Sequence, residues 1–260
     1  MNRTLPPAAA SLLLLLLGGG CGYTYYAGPL RPSDGQEKAV AVADDGSVTY
    51  TLGRLEVRLR PITDAELNRQ FASHSRSGPA STNPFTFGDA ELREGGEGQS
   101  RFTVFHLNVK NYAFPRVQID PTQVELTADN GRRYWTLDVS QLKSYYRAYV
   151  LGYRGNEYDR YQERIDLAQR NMFRKEVIFS GQELEGYLVF PVLHPDVSRV
   201  EVTIHDTVLR FDHRNEPVET VDIRYRFERE VGRLSPDGTR TISTNRPSTA
   251  AAMEIDGGAR

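Results

Sequence analysis

Cysteine is almost absent: Cys21 is the only one, so no internal disulfide can form and the fold must rest on an apolar core. Lysine is nearly as scarce. Lys38, Lys110, Lys143 and Lys175 are four of 32 basic residues, which leaves 28 arginines. A GC-rich coding sequence explains this as simply as does a need for planar contacts to carboxylates and phosphates. A basic surplus is missing too, since 34 acidic residues give a net charge of −2 and no field to hold nucleic acid. The longest largely apolar stretch, Ala8 to Leu17 with Ser11 within it, has ten residues, against the roughly 20 that a membrane-spanning helix requires. Missing as well are a Gly-x-Ser-x-Gly elbow, a His-Glu-x-x-His pair, a phosphate loop and a Cys-x-x-Cys pair. No enzymatic activity and no cofactor are therefore expected.

What remains is ordinary globular material, 260 residues that are 39% hydrophobic and 25% charged, enough for a sizeable core. The first twenty residues stand apart. Arg3 precedes the apolar run with its six leucines, Leu12 to Leu17, and Gly18-Gly19-Gly20 leads to Cys21. The run has the length of an export-signal core. With small residues at Gly19 and Gly20, and Gly18 where leucine is usual, it resembles the bacterial lipoprotein signals cut by signal peptidase II. The resemblance implies removal of residues 1–20, acylation of Cys21 and a stable anchor of two or three chains. Gly22 is not the aspartate of an inner-membrane retention signal, so the expected place is the periplasmic face of the outer membrane. Loss of Arg3 takes the basic count from 32 to 31 and the balance to −3.

Residues 21–46 mix Gly, Pro, Ser, Asp and Ala without a period and are expected to form a flexible tether. As a coil of about 25 residues it would hold the body on the order of 30 Å from the lipid. Tyr23, Tyr25 and Tyr26 either lie at the headgroups or belong to a plain flexible start. The body is expected over residues 47–230. Strand signals are Val48 to Leu52, then Leu55, Val57 and Leu59 in alternation, with a bulge or bend at Gly53-Arg54 where the phase changes. Thr63 and Glu66 form a capping box with Ile62 and Leu67 at staple positions, which predicts a short helix over Asp64 to Ala72. Residues 73–100, rich in Gly, Ser, Pro and Asn, read as a long mobile loop with Phe85 and Phe87 as its only anchors.

The centre of the pattern is Arg101 to Asn111, in which Thr103, Phe105, Leu107 and Val109 take one side of a strand and Val104, His106, Asn108 and Lys110 the other. His106 reads as a core or solvent-face residue. Val117 to Ile119, Val124 to Thr127, Tyr134 to Leu137, Val177 to Phe179, Gly186 to Phe190, Val200 to Ile204 and Val221 to Phe227 continue the series, with turn signals such as Asp129-Asn130-Gly131 between them. Over residues 100–210 the strand ending in Asn111, the Asp129-Asn130-Gly131 turn before Tyr134, and Gly186 to Phe190 resemble the immunoglobulin-like modules of bacterial lipoproteins. The expected fold is mainly β, an immunoglobulin-like antiparallel β-sandwich with a short N-terminal helix and an inserted helical hairpin. Residues 231–260 are expected to be a disordered tail.

The insertion spans residues 140–174. Six of the fourteen tyrosines lie in it: Tyr145, Tyr146, Tyr149, Tyr153, Tyr158 and Tyr161. Tyr158, Tyr161, Ile165, Ala168 and Met172 follow one helical face. That stripe either packs on the body or forms a docking surface for a protein partner of the cell envelope, since tyrosine is enriched at interfaces. A second arrangement is His205-Asp206 with Asp212-His213, weak metal candidates that would need a turn near Asp206, because eight residues of straight strand span about 27 Å. Polar strand ends are the plainer reading. Two functions follow from these features: a membrane-anchored interaction or scaffold module, or a lipid-anchored binding module for a small ligand, glycan or metal.

Overall fold

A computed structural model describes residues 24–76, 78–89, 100–152, 157–235 and 237–242. In chain order the elements are β1 (Thr24–Ala27), β2 (Arg31–Pro32), β3 (Val40–Val42), β4 (Val48–Leu52), β5 (Leu55–Ile62), α1 (Asp64–Gln70), α2 (Ala72–Ser75), β6 (Phe102–Asn111), β7 (Arg116–Gln118), β8 (Val124–Ala128), β9 (Arg133–Trp135), α3 (Val139–Gly152), α4 (Glu157–Asn171), β10 (Val177–Phe179), β11 (Gln182–Pro191), β12 (Arg199–Phe211), β13 (Pro217–Glu228), β14 (Val231–Leu234) and β15 (Arg240–Ile242). The protein is mainly β, and its sheets are antiparallel.

One sheet runs β11-β6-β5-β4-β3. The alternation over residues 101–111 lands as the pattern demands: Phe105, Leu107 and Val109 are fully buried on one face, and β6 pairs with β11 from Phe102↔Pro191 to Asn111↔Gln182. The phase change at Gly53-Arg54 is a two-residue hairpin turn joining β4 to β5, not a bulge, because Gly53 takes the positive φ that reverses the chain. The second large sheet is built on β12, which pairs with β13 along one edge and with β8 and then β7 along the other. The two sheets share a core. The Phe105 ring lies 5.2 Å from Phe227 and 5.7 Å from Phe190, and the buried Tyr225 hydroxyl donates to the Val57 carbonyl at 2.7 Å. Each such buried aromatic or aliphatic side chain contributes about 1.5–3 kcal/mol.

A second apolar cluster covers the other face of the β5-β6-β11 sheet, joining Ile62, Phe102, Val104 and Val189 to Leu67, Phe85, Leu142, Tyr146, Ile165, Ala168 and Met172. The helical insertion is therefore a third layer. Thr63 caps α1 by accepting from Glu66 N at 3.2 Å, while the Glu66 carboxylate turns to Arg60 at 2.6 Å. After α4 the chain crosses β11: Met172 belongs to the second cluster and Phe173 to the first. Gly186 permits the crossing, because a Cβ there would meet Phe173 N at 2.5 Å.

Three expectations need correction. Much of the supposed tether is part of the fold: β1 pairs with β14, β2 with β13 and β3 with β4. These short edge strands are held by backbone ladders, which a composition rich in Gly and Pro does not forbid at an edge. The supposed tail begins as β14 and β15, which complete a three-stranded sheet with β1. Residues 73–76 and 78–89 are packed, not mobile. Asn83 donates to Ser75 Oγ at 2.9 Å and accepts from Phe85 N at 2.9 Å, Asn68 donates to Gly88 O at 2.9 Å, and Arg164, fully buried, donates to Ser81 O at 3.0 and 2.6 Å. Side-chain hydrogen bonds replace the missing apolar period. The signal at residues 1–20, Cys21, the loop residues 90–99 and the tail from 243 lie outside the described residues.

Candidate functional site

The tyrosine stripe does not form one exposed surface. Tyr146 is fully buried; its hydroxyl donates to Pro84 O at 2.6 Å and accepts from Arg101 Nη1 at 2.9 Å. Burial pushes its pKa up to about 12. As a partner-surface residue it is a correction: the helix turns it into the second core. Tyr145 lies edge-on to Phe102 at 5.1 Å and is part-covered. Tyr161 is half-buried, with the exposed Tyr158 stacked on it at 6.1 Å. Tyr149 and Tyr153 lie outside the described side chains. Ile165, Ala168 and Met172 are buried, as the helical spacing predicts.

The four metal candidates are not brought together. The chain does not turn at Asp206: β12 continues through a bulge there, between the pairs Ile204↔Ile223 and Thr207↔Val221, with Asp206 at φ 50°. Asp212 caps the β12–β13 turn, accepting from Arg214 N and Glu216 N at 2.8 Å each, and His213 stands in that turn, eight positions from His205 along an extended strand. Among the described residues no group of three or more His, Cys, Asp or Glu is placed to hold a metal ion.

His205 instead joins a polar array on the outer face of the second sheet. Pleating places Glu125, Thr203 and Arg224 in one cross-strand row with Trp135, and Thr127, Glu201 and Arg226 in the next with Arg133. Glu125, only 5% exposed at its side chain, forms a bidentate pair with Arg133, whose Nη2 reaches Oε2 at 2.6 Å. Arg133 holds the Glu125 carboxyl below the usual glutamate range, and His205 and Thr127 act in the same direction. His205 stands between two carboxylates, Nε2 at 3.4 Å from Glu125 and Nδ1 at 3.5 Å from Asp222. Arg226 pairs with Glu201 at 2.9 Å.

Over this array lies Trp135, the only tryptophan in the chain and 43% exposed. The Arg133 guanidinium is 5.7 Å from its ring centre and the His205 ring 6.1 Å. The indole thus has a guanidinium and an imidazole beside it on the charge-paired outer face of the sheet. Such an arrangement offers apolar area at low entropic cost, with arginine and carboxylates at its rim. The larger groove nearby is open and lined by Ser33, Asp34, Asp129, Arg199, Glu201 and Arg226 among others, without an aromatic side chain.

Trp135, Arg133, Glu125 and Asp222 are not singled out by motif. Their signal is the outward parity of Glu125 and Thr127 on one strand and of Arg133 and Trp135 on the next, together with the pairing of β8 to β12, which joins segments about 75 residues apart. Compared with protein-family models, with curated proteins and with solved structures, the chain matches none.

Proposed function

We propose that this chain is a lipid-anchored cell-envelope protein, attached through an acylated Cys21 at the periplasmic face of the outer membrane, which docks a protein partner. Its body is read as an immunoglobulin-like β-sandwich, a reading supported by the two antiparallel sheets that meet at Phe105, Tyr225 and Phe227. The leucine run and Gly19-Gly20-Cys21 support the anchor. Among the described residues no helix is long and apolar enough to cross a membrane.

The observation that carries the docking function is Trp135, an exposed indole beside Arg133 and His205 on the outer face of the sheet. An exposed aromatic with a paired-charge rim suits a macromolecular partner, whereas small ligands are taken into concave sites that cover most of their surface. The test is chemical crosslinking in intact cells, comparing the native chain with Trp135→Ala. A defined crosslinked species that weakens at least several-fold in the variant, at equal folding and membrane recovery, supports this function. An unchanged species removes Trp135 from it.

A further inference from the structure

The way the chain enters its fold limits how far a group attached at Cys21 can stand from the body. Thr24, the first residue of β1, lies three steps beyond Cys21, and extended chain spans at most about 3.6 Å per step, or about 11 Å in all. Nor does β1 hang loose. Thr24 to Ala27 pair residue by residue with Leu234 to Val231, Tyr26 is buried with the Arg240 guanidinium 4.6 Å from its ring centre, and Gly28 N donates to Glu230 O at 2.8 Å. No spacer of about 25 residues separates anchor from fold.

Thr24 pairs with Leu234, the last residue of β14, so the entry point and the β14–β15 turn share one end of the small sheet. That end exposes Tyr25, at 58%, with exposed Arg233 directly opposite it in register and exposed Arg240 on the other face. An aromatic ring with a polar tip and two guanidiniums suit the headgroup layer of a phospholipid surface, the arginines meeting phosphates and the ring the boundary above the acyl chains.

We infer that the outer end of the β1–β14–β15 sheet lies directly on the lipid surface, its arginines against headgroup phosphates, so that the body is held flush with the membrane. This rests on the acylated Cys21 proposed above. The opposite end of the body then points away from the lipid. Tyr112, 45% exposed just beyond β6, marks that far end. β6 runs nine steps from Phe102 to Asn111, about 30 Å; at its Phe102 end the chain leaving β11 bonds to it through Leu193 N and Thr103 Oγ1 at 3.2 Å, and the same segment meets the β13–β14 junction, where Arg229 donates to His194 O at 2.7 Å and Val197 O at 2.8 Å.

The test uses the full chain, exported, purified and reconstituted into vesicles of phosphatidylethanolamine and phosphatidylglycerol. Mass spectrometry of the mature N-terminus comes first; an unacylated Cys21 removes the anchor and this inference with it. On the acylated chain, in a Trp135→Phe background, Tyr25→Trp and Tyr112→Trp are compared for fluorescence quenching by lipids brominated near the headgroup. The expected result is quenching several-fold stronger at position 25 than at 112. Equal quenching overturns the flush arrangement while leaving the anchor standing. The unsubstituted chain gives a second readout: phenylglyoxal should modify Arg233 and Arg240 several-fold more slowly on vesicles than in detergent while Arg54 at the far end keeps its rate, and unchanged rates at Arg233 and Arg240 would likewise overturn the flush arrangement.

Discussion

Replacing Tyr146 by Phe separates two meanings of a tyrosine-rich helix. If the stripe were a docking surface, loss of one hydroxyl would leave stability untouched. In the structure the ring is fully buried, and Phe preserves its apolar contacts with Leu142, Ile165 and the other members of the second cluster. What disappears is one hydrogen bond to the Pro84 carbonyl at 2.6 Å and one from the Arg101 guanidinium at 2.9 Å. The first leaves a buried acceptor without its donor, and the second is a bond to a charged group; together they are worth about 2–4 kcal/mol. For a body of this size that is a fall in Tm of roughly 5–15 °C. The assay is urea and thermal unfolding followed by circular dichroism, with Tyr158→Phe as the exposed control. A Tyr146→Phe variant indistinguishable from the control would refute the placement of α3 in a third layer.

Gly186→Ala places a methyl group 2.5 Å from Phe173 N, and since backbone must move to admit it, destabilisation of about 1–3 kcal/mol or more is expected in the same unfolding assay. Asn111 is fully buried; it donates to Phe114 O at 2.8 Å and Ile178 O at 2.9 Å and accepts from Phe114 N at 3.0 Å. Asn111→Ala should therefore cost about 1–3 kcal/mol, with hydrogen exchange rising first in β10. The Glu125 carboxyl lies below its ordinary value of 4.5, chiefly through Arg133. A depressed acid contributes stability that is fully present above the unfolded-state value and is lost as pH falls through the folded one. Because Arg133 is largely exposed, solvent screening keeps the contribution small. Denaturation curves taken down through that range should fall less steeply for Glu125→Gln than for the parent.

The sequence carries local periods well and long-range pairing poorly. Strict alternation over Leu55 to Leu59 and Phe102 to Asn111 marks the strands of the first sheet because one face of each is continuous core. Thr63 announces α1 through its cap, and Tyr161, Ile165, Ala168 and Met172 announce the inward face of α4. Residues 24–46 have no period, since an edge strand needs only a backbone partner, and for β1 that partner, β14, lies about 200 residues away. The segment 81–89 is fixed by Asn83, Asn68 and buried Arg164, and nothing in the sequence says where such side chains aim. Tyr146 and Tyr145 are neighbours in sequence with opposite fates, decided by which way α3 turns onto Phe102. The Trp135 array depends on four strands, β9, β8, β12 and β13, and its members become visible as a group only once their register is known.

The claim that the outer sheet face, and not the helical layer, meets the partner is tested most directly by a photo-crosslinking amino acid placed at position 135, at 158 or at 112, with ultraviolet irradiation of intact cells. One discrete adduct is expected from position 135 and none of comparable yield from the other two. An adduct from position 158 alone would contradict it and return the docking role to the tyrosines of the helical layer.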